Sequence, residues 1–244
     1  MIVEIKQNYN ELSYYTALMI AEYVGRKPDC IMCLAAGNTP VGTLRYLVQM
    51  AQEQKVDFGT CRFVGLDEWV GMDKTSDGSA QETLYQEFFS PLSIRPSQIH
   101  FFEALSDDLQ SECKRIDDYI ATEGPIDLML LGLGVNGHLG LNEPGVDFDS
   151  GSHVTELSQT TVTVGQKYFK QRQELTGGIT LGIRQIMESE TVILIASGKN
   201  KADAVYRLQH GEVTNELPAS ILQRHTNCFV ILDQDAAETE LPGN

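Results

Sequence analysis

Short apolar segments alternate with amphipathic helical segments along most of this chain. Several of the apolar segments have no polar position, which is typical of strands that are covered by helices on both faces. The alternation predicts an α/β fold with a single doubly wound, mostly parallel, Rossmann-like sheet and helices on both faces. The predicted strands are 30–35, 62–66, 99–102, 126–131, 191–196 and 228–232.

Apolar residues near helical spacing mark the segments between these strands as helices that each bury one face. The longest stretch without a clear pattern is 142–178, and loops of that length are often lids or binding loops. Since no linker or repeat interrupts the chain, we expect one domain over residues 1–244, with a lid within about 142–178. The predicted helices are 9–26, 40–54, 80–91, 107–122, 179–188, 199–210 and 218–224.

Charge and composition narrow the possible partners. The net charge of −16 argues against binding to nucleic acid or to an anionic membrane surface. No apolar stretch has the length of a membrane span, and the N-terminus does not resemble a signal peptide, so we expect a cytoplasmic protein. Five irregularly spaced cysteines predict buried free thiols. The sequence leaves open whether the protein is a monomer or a homo-oligomer.

Four unusual segments follow predicted strands, at the edge of the sheet where ligands bind in such folds. In the first, 34–43, Thr39 is the predicted N-cap and Pro40 suits the first helical position. Free N–H groups at a helix N-terminus attract phosphate, although an ordinary capped turn would use the same residue types.

The second segment places two acidic residues, Asp67 and Glu68, at the end of a predicted strand. Because neighbouring side chains of a strand point to opposite faces, only one of them should enter the cleft, and Asp67 directly follows the apolar run. A carboxylate there could act as a general base, while a surface acidic pair is the alternative. Trp69 is interpreted as a packing residue.

The third segment, 132–145, is the most informative, because four glycines surround His138 and Glu143 follows five residues later. His138 could transfer protons, with Glu143 setting its orientation and charge, and Asn136 could position a side chain or a sugar hydroxyl. One histidine and one glutamate make a poor ligand set, so we expect neither a metal nor another cofactor.

The fourth segment contains Lys199 and Lys201 at the start of a predicted helix. Lysines at a helix N-terminus oppose the preference of the helix dipole, so this placement favours a bound anion over a pair of solvated lysines.

In this order and spacing, the segments resemble the hexosamine-6-phosphate deaminase/isomerase family of the glucosamine-6-phosphate deaminase type, with galactosamine-6-phosphate members as relatives. The most specific element is the Asn-Gly-His to Asn-Glu-Pro-Gly loop. The resemblance covers nearly the whole chain and rests on segments 34–40, 66–71, 136–145, 198–201 and 218–225.

The resemblance implies a metal-free reaction in which an amino-sugar 6-phosphate is opened, isomerised and deaminated to a ketose 6-phosphate and ammonia. It implies that His138 catalyses ring opening with Glu143 tuning it. It also implies that Asp67 moves a proton from C2 to C1 through a cis-enolamine.

The same resemblance implies a phosphate site at Gly37, Asn38 and Thr39, together with Lys167 and Lys201. Lys167 stands where the family usually has Arg, and a lysine lacks the two-pronged geometry of a guanidinium.

A second departure is Asn136, which stands where many members have Asp and cannot relay charge to His138. These departures leave open whether the sugar is glucosamine 6-phosphate or galactosamine 6-phosphate.

Two other functions compete with this reading. A 6-phosphogluconolactonase has a related fold and a similar histidine loop, but without the Asn142-Glu143-Pro144 continuation found here. A non-catalytic sugar-phosphate regulator would carry a helix-turn-helix before the sensor domain, whereas the first strand here begins at Met1.

Overall fold

The computed structural model of the protein describes residues 1–238. Within these residues, the strands are β1 (Ile2–Lys6), β2 (Ile31–Leu34), β3 (Arg62–Gly65), β4 (Asp67–Trp69), β5 (Ile99–His100), β6 (Leu128–Gly132), β7 (His153–Thr155), β8 (Gly178–Thr180), β9 (Thr191–Ala196) and β10 (Cys228–Asp233). Seven of them form a parallel sheet in the order β1-β10-β9-β6-β2-β3-β5. The other three form a small antiparallel sheet in the order β4-β8-β7.

Helices connect the strands and cover the large sheet. They are α1 (Tyr9–Arg26), α2 (Asn38–Gln52), α3 (Ala80–Leu84), α4 (Leu109–Glu123), α5 (Gln159–Gly165), α6 (Ile183–Glu188), α7 (Ala202–His210) and α8 (Gln234–Ala237). Short stretches of other helix types occur at Tyr85–Phe89, Pro96–Gln98, Gln166–Tyr168, Lys199–Lys201 and Pro218–Arg224. No helix within residues 1–238 is both long and apolar enough to span a bilayer.

The core has two parts, one on each face of the large sheet. Alternate residues of β2 enter different parts: Ile31 and Cys33 pack in one apolar cluster, and Met32 and Leu34 pack in the other. This alternation follows from the two-residue period of a strand, and it explains why every residue of β2 is apolar. All five cysteines are buried free thiols, as predicted.

The strand order reverses beside β2. From β2 the chain proceeds through β3 to β5 on one side, and from β6 it proceeds through β9 to β10 on the other. The loops that follow β2 and β6 therefore leave in opposite directions and open a crevice at the carboxyl ends of these strands. Such a crevice is the usual ligand site of an open parallel sheet.

The predicted doubly wound α/β class is confirmed, and each of the six predicted strands is present. The helix predicted over 179–188 begins only at Ile183, because Gly178–Thr180 pairs with β4 and β7 in the small sheet. The stretch 142–178 contains β7 and α5 rather than continuous loop. The end of the predicted domain, residues 239–244, lies outside the described residues.

Candidate active site

One pocket lies at the crevice between β2 and β6 and brings most of the predicted site residues together. Asn136 and Glu143 are not in its wall but lie directly behind His138, which they support. The predicted residues that line the pocket are Gly37, Asn38, Thr39, Asp67, His138, Lys167 and Lys201.

The N-terminus of α2 forms one end of the pocket. The helix begins at Asn38, and Gly37 precedes it with φ of 95°, a left-handed conformation that favours glycine. The prediction that Thr39 is the N-cap was therefore wrong. Pro40 lies third in the helix, where its missing N–H is not needed by the first turn. Since no side chain caps α2, the N–H groups of Asn38 and Thr39 are available for an anion.

Two lysines lie at the same pocket. Lys201 Nζ donates to the carbonyl oxygen of Leu133 at 2.6 Å. Burial, followed by the charge of Lys167, lowers the pKa of Lys201 to about 8, and burial also lowers the pKa of Lys167. The two neighbouring ammonium groups repel each other, and an anion bound between them would relieve this repulsion.

Asp67 lines the pocket between the small sheet and the α2 terminus. The prediction that Asp67 ends a strand of the large sheet was wrong. Strand β3 ends at Gly65, and Asp67 begins β4, where it pairs with Thr180. Burial, with a smaller contribution from the charge of Glu68, raises the pKa of Asp67 to about 7. A carboxylate with this pKa is well suited to accept and return a proton near neutral pH.

Glu68 has a different environment, as the alternation of side chains along a strand predicted. Its carboxylate is 2% exposed and accepts the backbone N–H groups of Trp69, Ala80 and Gln81 at 2.9, 3.0 and 2.9 Å. These bonds attach the start of α3 to β4. Trp69 packs against Leu141 and Phe169, as expected of a packing residue, and it also lines the pocket.

His138 lines the pocket wall opposite Asp67, on the loop that follows β6. Its Nδ1 lies 3.3 Å from Thr161 Oγ1 and 3.8 Å from Glu143 Oε2, so this nitrogen faces the protein. A side chain at position 134 would collide with the imidazole, so Gly134 is needed for the ring to lie against the backbone.

Glu143 is held by several donors behind His138. Its Oε2 accepts from Asn136 Nδ2 at 2.8 Å, and its Oε1 accepts from the N–H of Ser158 at 3.3 Å. Burial raises the pKa of Glu143, but hydrogen bonds from His138, Thr161 and Asn136 outweigh it and lower the pKa to about 2. The carboxylate of Glu143 therefore stays ionised at neutral pH.

Asn136 connects both partners of this arrangement. Besides donating to Glu143, its Oδ1 accepts the backbone N–H of His138 at 3.2 Å. Asparagine can do both because its amide has a donor and an acceptor. An aspartate here would place a second carboxylate against Glu143, so this loop works with a single negative charge behind the imidazole.

Sequence reasoning missed three residues on or directly before the segment that covers the pocket, which consists of α5 and the turn Gln166–Tyr168. Ser158 caps α5 by accepting from Thr161 N at 3.2 Å, and Thr161 contacts His138. Tyr168 lies over the α2 terminus, since a side chain at Gly37 would meet its hydroxyl at 3.0 Å. Burial and then the charge of Asp67 raise the pKa of Tyr168.

A Ser-x-x-Thr spacing at 158–161 is an N-cap signal that could have located α5. No local pattern indicates Tyr168, because its contact with Gly37 joins segments that are far apart in the sequence.

Asp67, His138 and two lysines line one cleft at the point where the strand order reverses. This arrangement defines an α/β protein of the kind that acts on small anionic substrates. The chain belongs to the family of glucosamine-6-phosphate isomerases and 6-phosphogluconolactonases, whose model matches residues 5–231. The family predicted from the loop motifs is therefore confirmed.

Similar proteins lie in the deaminase branch of this family. Glucosamine-6-phosphate deaminase of Clostridium botulinum (strain Kyoto / Type A2) is 36% identical over 238 residues, covering 97% of this chain and 98% of that protein. The deaminase of Thermoanaerobacter pseudethanolicus is 33% identical over 238 residues, covering 97% and 94%. These relatives confirm the predicted class, a glucosamine-6-phosphate deaminase-like enzyme.

Among solved structures too, this chain resembles a deaminase more than a 6-phosphogluconolactonase. A monomeric glucosamine-6-phosphate deaminase superposes with a TM-score of 0.94 at 36% identity, covering 97% of this chain and 99% of that one. The 6-phosphogluconolactonase of Thermotoga maritima has a TM-score of 0.75 at 20% identity, covering 95% and 98%. The second likeness shows a shared fold alone.

Proposed function

We propose that the protein converts an amino-sugar 6-phosphate, with glucosamine 6-phosphate as the first candidate, into the ketose 6-phosphate and ammonia. The observation that carries this proposal is that Asp67 and His138 face one pocket whose far end is built for an anion. The names of the similar deaminases support the same reaction.

The substrate phosphate would occupy the end formed by the α2 terminus and the two lysines. Its oxygens would accept from the N–H groups of Asn38 and Thr39 and from the ammonium groups of Lys167 and Lys201. Binding energy from this remote group would hold the sugar in position for the chemical steps.

Ring opening is assigned to His138, with Glu143 and Asn136 as its supports. The imidazole would take the proton of the C1 hydroxyl and deliver a proton to the ring oxygen as the C1–O5 bond breaks. The ionised carboxylate of Glu143 stabilises the imidazolium between these transfers, and Asn136 holds both groups in place.

Isomerisation and deamination are assigned to Asp67. In the open chain the C1 carbonyl acidifies the C2 proton, so the carboxylate can take it while the C1 oxygen takes a proton from the ammonium group at C2, which forms a cis-enolamine. Return of the proton to C1 leaves an imine at C2, and water then replaces the nitrogen, which leaves as ammonia. No step requires a metal.

The segment that covers the pocket, α5 with the turn Gln166–Tyr168, is proposed as the lid. It lies inside the stretch 142–178 and carries Thr161, Lys167 and Tyr168, which line the pocket. Its movement would admit the substrate and release the product.

The test is an ammonia-release assay with glucosamine 6-phosphate and galactosamine 6-phosphate side by side, with Asp67→Asn as the inactive control. We expect ammonia and ketose phosphate in equal amounts from the wild type. Hydrolysis of 6-phosphogluconolactone without ammonia release from either amino sugar would refute the proposal. Tight binding of both sugars without turnover would favour the sensor function instead.

A further inference from the structure

One side chain from another helix enters the first turn of α2. The Tyr9 hydroxyl, on the first residue of α1, accepts the N–H of Gly42 at 2.8 Å. It lies 3.1 Å from the carbonyl oxygen of Asn38 and 3.0 Å from that of Thr39. One phenol therefore links three backbone groups in the turn whose free N–H groups face the pocket.

We propose that Tyr9 is a positioning residue for phosphate binding, acting through the peptide units at the start of α2. The proposal rests on the proposed function, because it assumes that the substrate phosphate occupies this terminus. Tyr9 does not line the pocket, so it acts without touching the substrate.

Peptide geometry explains how a hydroxyl on one side controls donors on the other. The carbonyl of Asn38 and the N–H of Thr39 belong to the same planar trans peptide and point in opposite directions. When the Tyr9 hydroxyl binds that carbonyl, it also sets the direction of the Thr39 N–H towards the pocket. The support leaves the N–H groups of Asn38 and Thr39 free, because the hydroxyl contacts the carbonyl oxygens and the N–H of Gly42.

Gly42 is the second observation in support. Glycine weakens a helix interior, so a glycine in the second turn of α2 calls for a reason. A Cβ at this position would lie 2.9 Å from the Tyr9 hydroxyl and would collide with the Ser13 hydroxyl, which is buried without a hydrogen-bond partner. The absence of a side chain at Gly42 is what lets Tyr9 reach the helix backbone.

The protein offers a matched control at the same helix pair. The Tyr46 hydroxyl, on α2, donates to Asn10 Oδ1, on α1, at 2.7 Å. Tyr46→Phe removes one hydrogen bond between α1 and α2, as Tyr9→Phe does, but leaves the first turn of α2 untouched. A merely structural role for Tyr9 would make the two variants equivalent.

The experiment measures kcat and KM for glucosamine 6-phosphate, and the Kd of inorganic phosphate by calorimetry, in Tyr9→Phe, Gly42→Ala, the double variant and Tyr46→Phe. Loss of one support should raise KM and the phosphate Kd about fivefold to tenfold in Tyr9→Phe, with kcat within about twofold. Tyr46→Phe should leave both constants within about twofold.

Gly42→Ala should weaken phosphate binding at least as much, because its Cβ would crowd the Tyr9 hydroxyl and also collide with Ser13. The double variant should then be no worse than Gly42→Ala alone, as expected for two residues that act as a unit. Unchanged KM and phosphate Kd in Tyr9→Phe, or equal effects in Tyr46→Phe, would overturn the proposal. If neither the wild type nor any variant releases ammonia but Tyr9→Phe still weakens phosphate binding, the proposed reaction is wrong while the role of Tyr9 in phosphate binding stands.

Discussion

Replacement of Asp67 by asparagine should stop turnover and, at neutral pH, stabilise the folded protein. Burial raises the pKa of this carboxyl from 3.8 to about 7. Below about pH 3 the carboxyl is protonated in both the folded and the unfolded protein. As the pH rises to 7, the unfolded chain releases this proton first, so the carboxyl lowers the free energy of unfolding over that range.

The difference between 3.8 and about 7 corresponds to about 4 kcal/mol. Water in the open pocket screens part of this penalty, which leaves on the order of 2 kcal/mol at pH 8. For a chain of this length, that amounts to a rise in Tm of about 4 to 8 °C. Asparagine is close in size and carries no charge, so it should avoid the penalty without leaving a cavity.

The assay is thermal unfolding of the wild type and Asp67→Asn from pH 4.5 to pH 8, in the absence of substrate. The Tm difference should be small at pH 4.5 and should grow until about pH 7.5. Asp149→Asn is the matched control, because it removes the same charge from an exposed position. A Tm difference that does not change with pH, or a less stable Asp67→Asn at pH 8, would refute the assignment of a desolvated carboxyl.

Three further changes test the remaining parts of the site. Glu143→Gln removes the charge behind His138 and should lower kcat about 10- to 100-fold, with KM nearly unchanged; an unaltered kcat would show that the carboxylate is not needed. His138→Gln should slow the ring-closed substrate far more than an open-chain analogue, and equal slowing of both would contradict the assignment of ring opening. Lys201→Ala should mainly raise KM and the phosphate Kd, measured as for Tyr9→Phe, whereas a loss confined to kcat would place Lys201 at the reacting carbons instead of the phosphate.

The chemistry of the site was accessible from the sequence because its main groups sit in short, dense motifs. His138 and Glu143 lie five residues apart in one loop, and Asp67 directly follows an apolar run. Their convergence could be predicted too, since the carboxyl ends of parallel strands share one edge of a sheet. Strand alternation correctly separated the environments of Asp67 and Glu68, although both residues line the pocket.

The small antiparallel sheet was not accessible in this way. Its three strands have only three residues each, which is too short for a hydrophobic period to be distinguished. Ile179 and Thr180 were assigned to a helix because their partners in β4 and β7 are distant in the sequence. The exact start of α2 was also missed, since the positive φ of Gly37 is set by the turn out of β2.

The sequence by itself determined the α/β class, the buried strands and the candidate acid–base residues, because these depend on local period and residue type. Only the tertiary structure decided which strand neighbours which, how Asn136 and Glu143 support His138, and how Tyr9 and Tyr168 approach the α2 terminus from distant segments. Such contacts depend on the packing of distant segments, and no short-range pattern encodes them.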